Sequence, residues 1–131
     1  MSSESFIIDV QDKYTHVSVL EDKFTAKVAP DLKAELAIIN SEEVKNIIFD
    51  VSKCSYCDSS GLSVMLVANR ICNDNDGCMV VCGLQPAVSK LIDISQLNNV
   101  LNIATSLNEA VDYIFIDELE KGLSEAEEHL N

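Results

Sequence analysis

Two short runs limit the fold of this chain more than anything else in it: NIIFDVS at residues 46–52 and CMVVC at residues 78–82. Both are apolar at consecutive positions and rich in Ile or Val. A strand with one wet face alternates, whereas a strand that reads apolar throughout is covered on both faces. Helical patterns lie between and around these runs. Leu32, Leu36 and Ile39 recur at helical spacing after Pro30, which suits a first helical turn. Leu62, Val64, Met65, Leu66, Val67 and Ile71 give a second helix with a broad apolar stripe, ending near the turn-rich NDNDG. Val88, Leu91 and Ile92 mark a third, after Pro86. Strands alternating with helices imply parallel pairing through helical crossovers.

The ends complete the pattern. Phe6, Ile8 and Val10 share one side of an alternating run at 6–11, and 14–20 is again strand-like. The short joint at Asp12 and Lys13 predicts a hairpin. VLNI at 100–103 reads as a short strand. Ser106 with Glu109 forms a capping-box pattern that opens a helix carrying Leu107, Ala110, Val111 and Ile114. The predicted fold is α/β: one domain over residues 1–117, with a mixed four- to five-stranded sheet and flanking helices. Residues 118–131 read as an acidic extension. There Gly122 is placed to stop the preceding helix, and Ser124 with Glu127 to cap a short one bearing Leu123, Ala126 and Leu130. Such a segment is either a frayed tail or an interaction helix in need of an apolar partner surface.

Charge excludes some functions. A net charge of −13 over 131 residues repels nucleic acid and anionic lipid, and it suits a basic partner. The opening MSSES is polar rather than basic and then apolar, and no apolar run reaches bilayer length. The expectation is a cytoplasmic protein without membrane insertion. Its five cysteines, an odd number, are then expected to be free thiols.

The stretch CSYCDSSGL, residues 54–62, points two ways. A C-x-x-C near a strand-to-helix joint is a redox pattern, and it predicts a lowered thiolate pKa at Cys54 or Cys57. Yet four residues separate Cys57 from Leu62, the first helical leucine. In extended chain the two Cα atoms would stand roughly 10 Å apart, beyond the ~7 Å limit for a disulfide, unless Ser55 and Tyr56 turn. Metal finds little support: Cys78 and Cys82 sit at strand spacing, and His16 and His129 are isolated.

DSSG fits its place better. Asp and Ser are preferred helix N-caps, and Gly61 permits a tight turn or a close approach. In one reading these residues only start a helix. In the other, a serine hydroxyl there is exposed on a rigid support, where a phosphoryl group would meet free N–H donors and the positive end of the helix. That group would add about −1.5 to −2 of charge beside Asp58. The sequence offers no histidine placed to deprotonate Ser59, no G-x-S-x-G elbow and no Gly-rich phosphate loop. Ser59 therefore reads as the target of an enzyme, and the chain as non-enzymatic, with no cofactor or metal.

IIFDVSKCSYCDSSGLSVMLVANR, followed by GCMVVCGLQPAVSKLIDISQLNNVLNIATSLNEAV, closely resembles the STAS family and, within it, the bacterial anti-sigma-factor antagonists. The likeness spans roughly residues 5–116. It implies a compact α/β domain whose first serine after the motif Asp is phosphorylated by a partner that is both anti-sigma factor and serine kinase. The unphosphorylated antagonist binds that partner and frees the sigma factor, and a serine phosphatase restores it. Carried onto this chain, the phosphoacceptor is Ser59, with Asp58, Ser60, Gly61 and Leu62 forming the partner-binding loop and helix start. The antagonists' Gly-x-x-Asp after the second strand, which touches the kinase and its nucleotide, falls here on LEDKFTAKVAPDL. Asp22 stands in place of the Gly and Thr25 in place of the Asp, which bears on recognition of an ordinary partner. The alternatives are a STAS scaffold or accessory subunit of a signalling assembly or transporter, and a thiol redox protein.

Overall fold

The computed structural model describes residues 4–42 and 44–130, excepting the side chains of 129 and 130; the sequence readings of His129 and Leu130 fall outside the described side chains. Five strands form one mixed sheet, in the order β1 (Phe6–Val10), β2 (Thr15–Val19), β4 (Ile47–Asp50), β6 (Met79–Cys82) and β7 (Asn102–Ala104). β1 and β2 make the predicted antiparallel hairpin. β4, β6 and β7 then add in parallel. Each parallel step runs through one helix: α1 (Ala29–Asn40), α2 (Ser59–Asp74) and α3 (Pro86–Ile94). Because the steps all progress the same way across the sheet and such crossovers share one hand, these three helices lie on the same face.

Their apolar stripes build the larger core. Leu32 and Leu36 of α1, Met65 of α2 and Val88 and Ile92 of α3 pack with Val17, Phe49 and Val81 of the sheet. The other face is covered by α4 (Leu107–Leu130), whose Ala110 and Ile114 pack on Ile48, Val80 and Ala104. β4 and β6 are thus buried on both sides, as their unbroken apolar runs predict.

The structure differs from the sequence reading in several places. Val10 was expected beside Phe6 and Ile8 but is exposed, since it ends an edge strand. The strand expected at 100–103 begins at Asn102, because Leu97–Asn99 form a 3-10 turn and the parallel register starts at Val80 with Asn102. Half of the capping box forms: the Glu109 N–H donates to Ser106 Oγ (3.1 Å), while the Glu109 carboxylate accepts from the N–H and hydroxyl of Thr105.

Gly122 does not stop a helix, and no second helix is capped by Ser124. α4 runs unbroken from Leu107 to Leu130. An interior Gly costs about 1 kcal/mol relative to Ala, too little to end a helix followed by Leu, Glu and Ala. The turn before it is also pinned, since Lys121 pairs with Asp117 (3.0 Å) and donates to the Asp76 carbonyl (3.0 Å). Further back, the buried Asn46 donates to Glu118 (2.8 Å) and the Lys13 carbonyl and accepts from the Cys78 N–H. The body of the domain therefore holds α4 as far as Lys121.

Candidate functional site: the head of the second helix

Two elements that sequence reasoning missed set up this site. β3 (Lys23–Phe24) and β5 (Tyr56–Cys57) form a two-stranded parallel ribbon apart from the main sheet. The only sequence signal was the isolated Phe24 between the polar Lys23 and Thr25. Its ring now stacks on Phe49 at 5.9 Å between centroids and anchors the ribbon in the core. The Phe24 carbonyl accepts the Asp58 N–H (3.2 Å), which fixes the chain entering α2.

Asp58 is the N-cap of α2. It adopts extended backbone, and its Oδ1 accepts from the N–H groups of Ser60 (2.9 Å) and Gly61 (3.2 Å). Two of the donors that a phosphoryl group was expected to find free are therefore already occupied. Ser59, the first residue of the helix, is exposed, and Ser60 is half-buried. Gly61 is fully packed: a Cβ there would stand 2.6 Å from both the Phe24 carbonyl oxygen and Cys57 Sγ. The glycine thus lets the head of α2 seat against the ribbon. Leu62, expected at the partner surface, is 6% exposed and belongs to the core. Leu62 lies one turn further along α2, where the helix already packs on the core, whereas Ser59 stands at the open end, so Leu62 supports the site and offers a partner no surface.

Asp22 and Thr25 flank the ribbon strand that borders this loop. Asp22 accepts the Ser55 hydroxyl (2.5 Å), and its carbonyl accepts the Ser55 and Tyr56 N–H groups. The Thr25 carbonyl accepts from Val28 and Ala29 (3.0 Å each) and so opens the turn into α1. Both positions at which the chain departs from the antagonist pattern therefore shape the surroundings of the Ser59 loop.

Beside Ser59 lies a shallow groove of about 380 Å³, lined by Tyr56, Cys57, Asp58, Ala87, Lys90, Leu91 and Ile94. Ile94 and Tyr56 are exposed there. Ile94 falls outside the inward stripe of Val88 and Ile92, and that misplaced apolar residue was the available signal for the groove.

The CSYC half is inert. Cys54 sits in a turn and Cys57 in β5, both buried and free. Burial pushes both thiols up to about 12, with each raised further by negative neighbours, Asp22 and Asp50 near Cys54 and Asp58 near Cys57. A redox thiol needs the opposite shift. Among the described residues no cluster of metal-ligating side chains occurs.

His16 is not isolated. Its Nε2 lies 3.2 Å from both Asp50 Oδ2 and Ser18 Oγ, and the bond to His16 holds the Asp50 carboxyl at about 2. Both partners use one ring nitrogen, so no Ser-His-Asp relay is formed.

Residues 9–110 match the family model of the STAS domain. The chain belongs to the STAS domain family. The anti-sigma-B factor antagonist of Staphylococcus aureus is 24% identical over 93 residues, 71% of this chain and 85% of that protein. The anti-sigma factor antagonist SpoIIAA in its unphosphorylated form superposes with a TM-score of 0.72 at 20% identity, covering 83% of this chain and 95% of that one. Its phosphorylated form from Bacillus superposes at 0.66 and 20%, over 83% and 98%. A sulfate transporter family protein from Wolinella succinogenes gives 0.71 at 16%, over 83% and 90%. This STAS domain thus shares its fold with an anti-sigma factor antagonist and with a sulfate transporter family protein. Among its described residues no helix is long and apolar enough to cross a membrane.

Proposed function

We propose that this STAS protein is a cytoplasmic, non-enzymatic anti-sigma-factor antagonist whose binding is switched by phosphorylation of Ser59. Unphosphorylated, it docks onto an anti-sigma factor with serine kinase activity and displaces the sigma factor; a serine phosphatase resets it. The observation that carries the reading is the exposed Ser59 hydroxyl at the head of a helix locked by Asp58 and by the close seating of Gly61. Support also comes from the likeness to SpoIIAA, a protein known in phosphorylated and unphosphorylated forms. Docking uses the loop at residues 58–60 and the neighbouring groove, where Tyr56, Leu91 and Ile94 supply apolar contact and Lys90 a cation.

Phosphate on Ser59 acts by addition of charge rather than by rearrangement. Asp58 already fills the Ser60 and Gly61 donors, so the dianion gains no cradle there. It must be desolvated in the interface beside a carboxylate. Leaving a charge buried and unpaired in an interface costs about 2–5 kcal/mol. Since ~1.4 kcal/mol is tenfold in affinity, the bound complex weakens by about a hundredfold or more. Incubation with the cognate kinase and ATP, followed by mass spectrometric mapping, tests the site. The expected product carries one phosphate on Ser59, and Ser59→Ala carries none. Phosphate incorporation into Ser59→Ala at the wild-type rate contradicts the assignment.

The second reading is an accessory STAS subunit of a transporter or signalling assembly, in which the DSSG stretch only starts a helix. The likeness to the Wolinella succinogenes protein and the Asp22 and Thr25 departures favour it. Affinity capture from cell extract separates the two: a kinase in the bound fraction supports the switch, and transporter subunits without a kinase support the alternative.

A further inference from the structure

The far half of α4 carries an apolar stripe that the domain does not use. Ala110 and Ile114 face the sheet, and Asp117 and Lys121 follow them along the inward side to the last anchor. On the opposite side Phe115, Ile116, Leu119 and Leu123 recur at helical spacing, continued by the small Ala126. Leu119 is 64% and Leu123 58% exposed. From Gly122 to Glu128 every residue is exposed, and a Cβ at Gly122 would meet nothing within 4 Å, so this part of the helix projects beyond the sheet. Contiguous exposed apolar side chains on a helix mark an interaction surface rather than a solvated face.

The rim of the stripe identifies its occupant. Glu120 and Glu127 line one side, while Glu118 and Glu125 turn toward the domain, where Glu118 is held by Asn46 (2.8 Å) and Lys45 (3.4 Å). The one cation within residues 115–126, Lys121, faces the domain and is engaged with Asp117 and the Asp76 carbonyl, and Lys45 is paired with Glu118. A second copy of this chain would bring the same carboxylates to the same rim, on a molecule of net charge −13, with no described cation of the segment free to answer them. We infer that residues 115–126 form a docking surface for an amphipathic helix of a partner protein, apolar on one face and flanked by Lys or Arg. The apolar stripe supplies contact area, and the acidic rim of Glu120 and Glu127 selects charge and register.

This surface is independent of the switch at Ser59. It is tested with the full chain and a synthetic helical peptide of Leu and Lys at amphipathic spacing, beside a twin in which Glu replaces each Lys. Binding is read by fluorescence anisotropy. The basic peptide is expected to bind and its acidic twin not to. Leu119→Gln with Leu123→Gln, and separately Glu120→Lys with Glu127→Lys, each weaken binding about tenfold or more. All four side chains are exposed and Gln and Lys are good helix formers, so circular dichroism of both variants stays that of the wild type. Absence of binding, or binding that the Gln variant leaves intact, overturns the inference. So does sedimentation showing a wild-type dimer that the Gln variant dissociates, because the stripe is then covered by a second copy.

Discussion

Cys57 and Ser59 stand two residues apart, yet the fold treats them as opposites. Cys57 is on the inner side of the β3–β5 ribbon, buried under Gly61, with its thiol pushed up to about 12. Ser59 is past the point where the chain turns into α2, exposed at a helix head whose first donors are held by Asp58. The lesson is that residue type sets what chemistry a position offers, while the seating of the backbone decides which offer is accessible. Here one ribbon hides the nucleophilic sulfur and, through the same contacts, holds the hydroxyl out.

The contrast can be broken in graded ways. The largest effect is expected in thiol chemistry. A pKa raised from 9.0 to about 12 leaves about a thousandfold less thiolate at neutral pH, so Cys54 and Cys57 react with an exposed-thiol reagent about that much more slowly in the native protein than in urea. Fast native labelling at either residue contradicts the burial.

Next comes the seat itself. Gly61→Ala drives a Cβ to 2.6 Å from the Phe24 carbonyl, the group that accepts the Asp58 N–H. The ribbon and helix head must separate, at about 2 kcal/mol by urea denaturation. Cys57 labelling should rise in the same variant, since one contact serves both residues.

The smallest effect belongs to the cap. Asp58→Ala removes the acceptor for Ser60 and Gly61 N–H and is expected to cost about 1 kcal/mol of stability. It also frees the donors. A phosphate on Ser59 of that variant then gains partners it lacks in the wild type, which raises the melting temperature of the phosphorylated over the unphosphorylated form.

Much of this was legible in the residues. The consecutive apolar residues 47–49 and 79–82 gave strands covered on both faces, and helical periodicity gave α1, α2 and α3. Asp58 and Ser59 were recognisable as a helix head from their side chains alone. What escaped were features fixed by distant partners. The β3–β5 ribbon joins residues more than thirty positions apart, and a two-residue strand leaves no period to read. Leu62 read as a helical stripe residue from its spacing and as partner surface from the family likeness, and its burial in the core favours the first. Gly122 read as a stop because a local penalty is visible in sequence, whereas the Asp76 and Asp117 contacts that hold the preceding turn are not.

The central claim is that charge on one exposed hydroxyl separates the bound from the free protein. Calorimetric titration of the kinase-type anti-sigma factor with unphosphorylated protein, and then with protein phosphorylated at Ser59, tests it most directly. The expected result is a Kd at least about a hundredfold weaker for the phosphorylated form, with both forms equally folded. Equal affinity for the two forms would contradict the account.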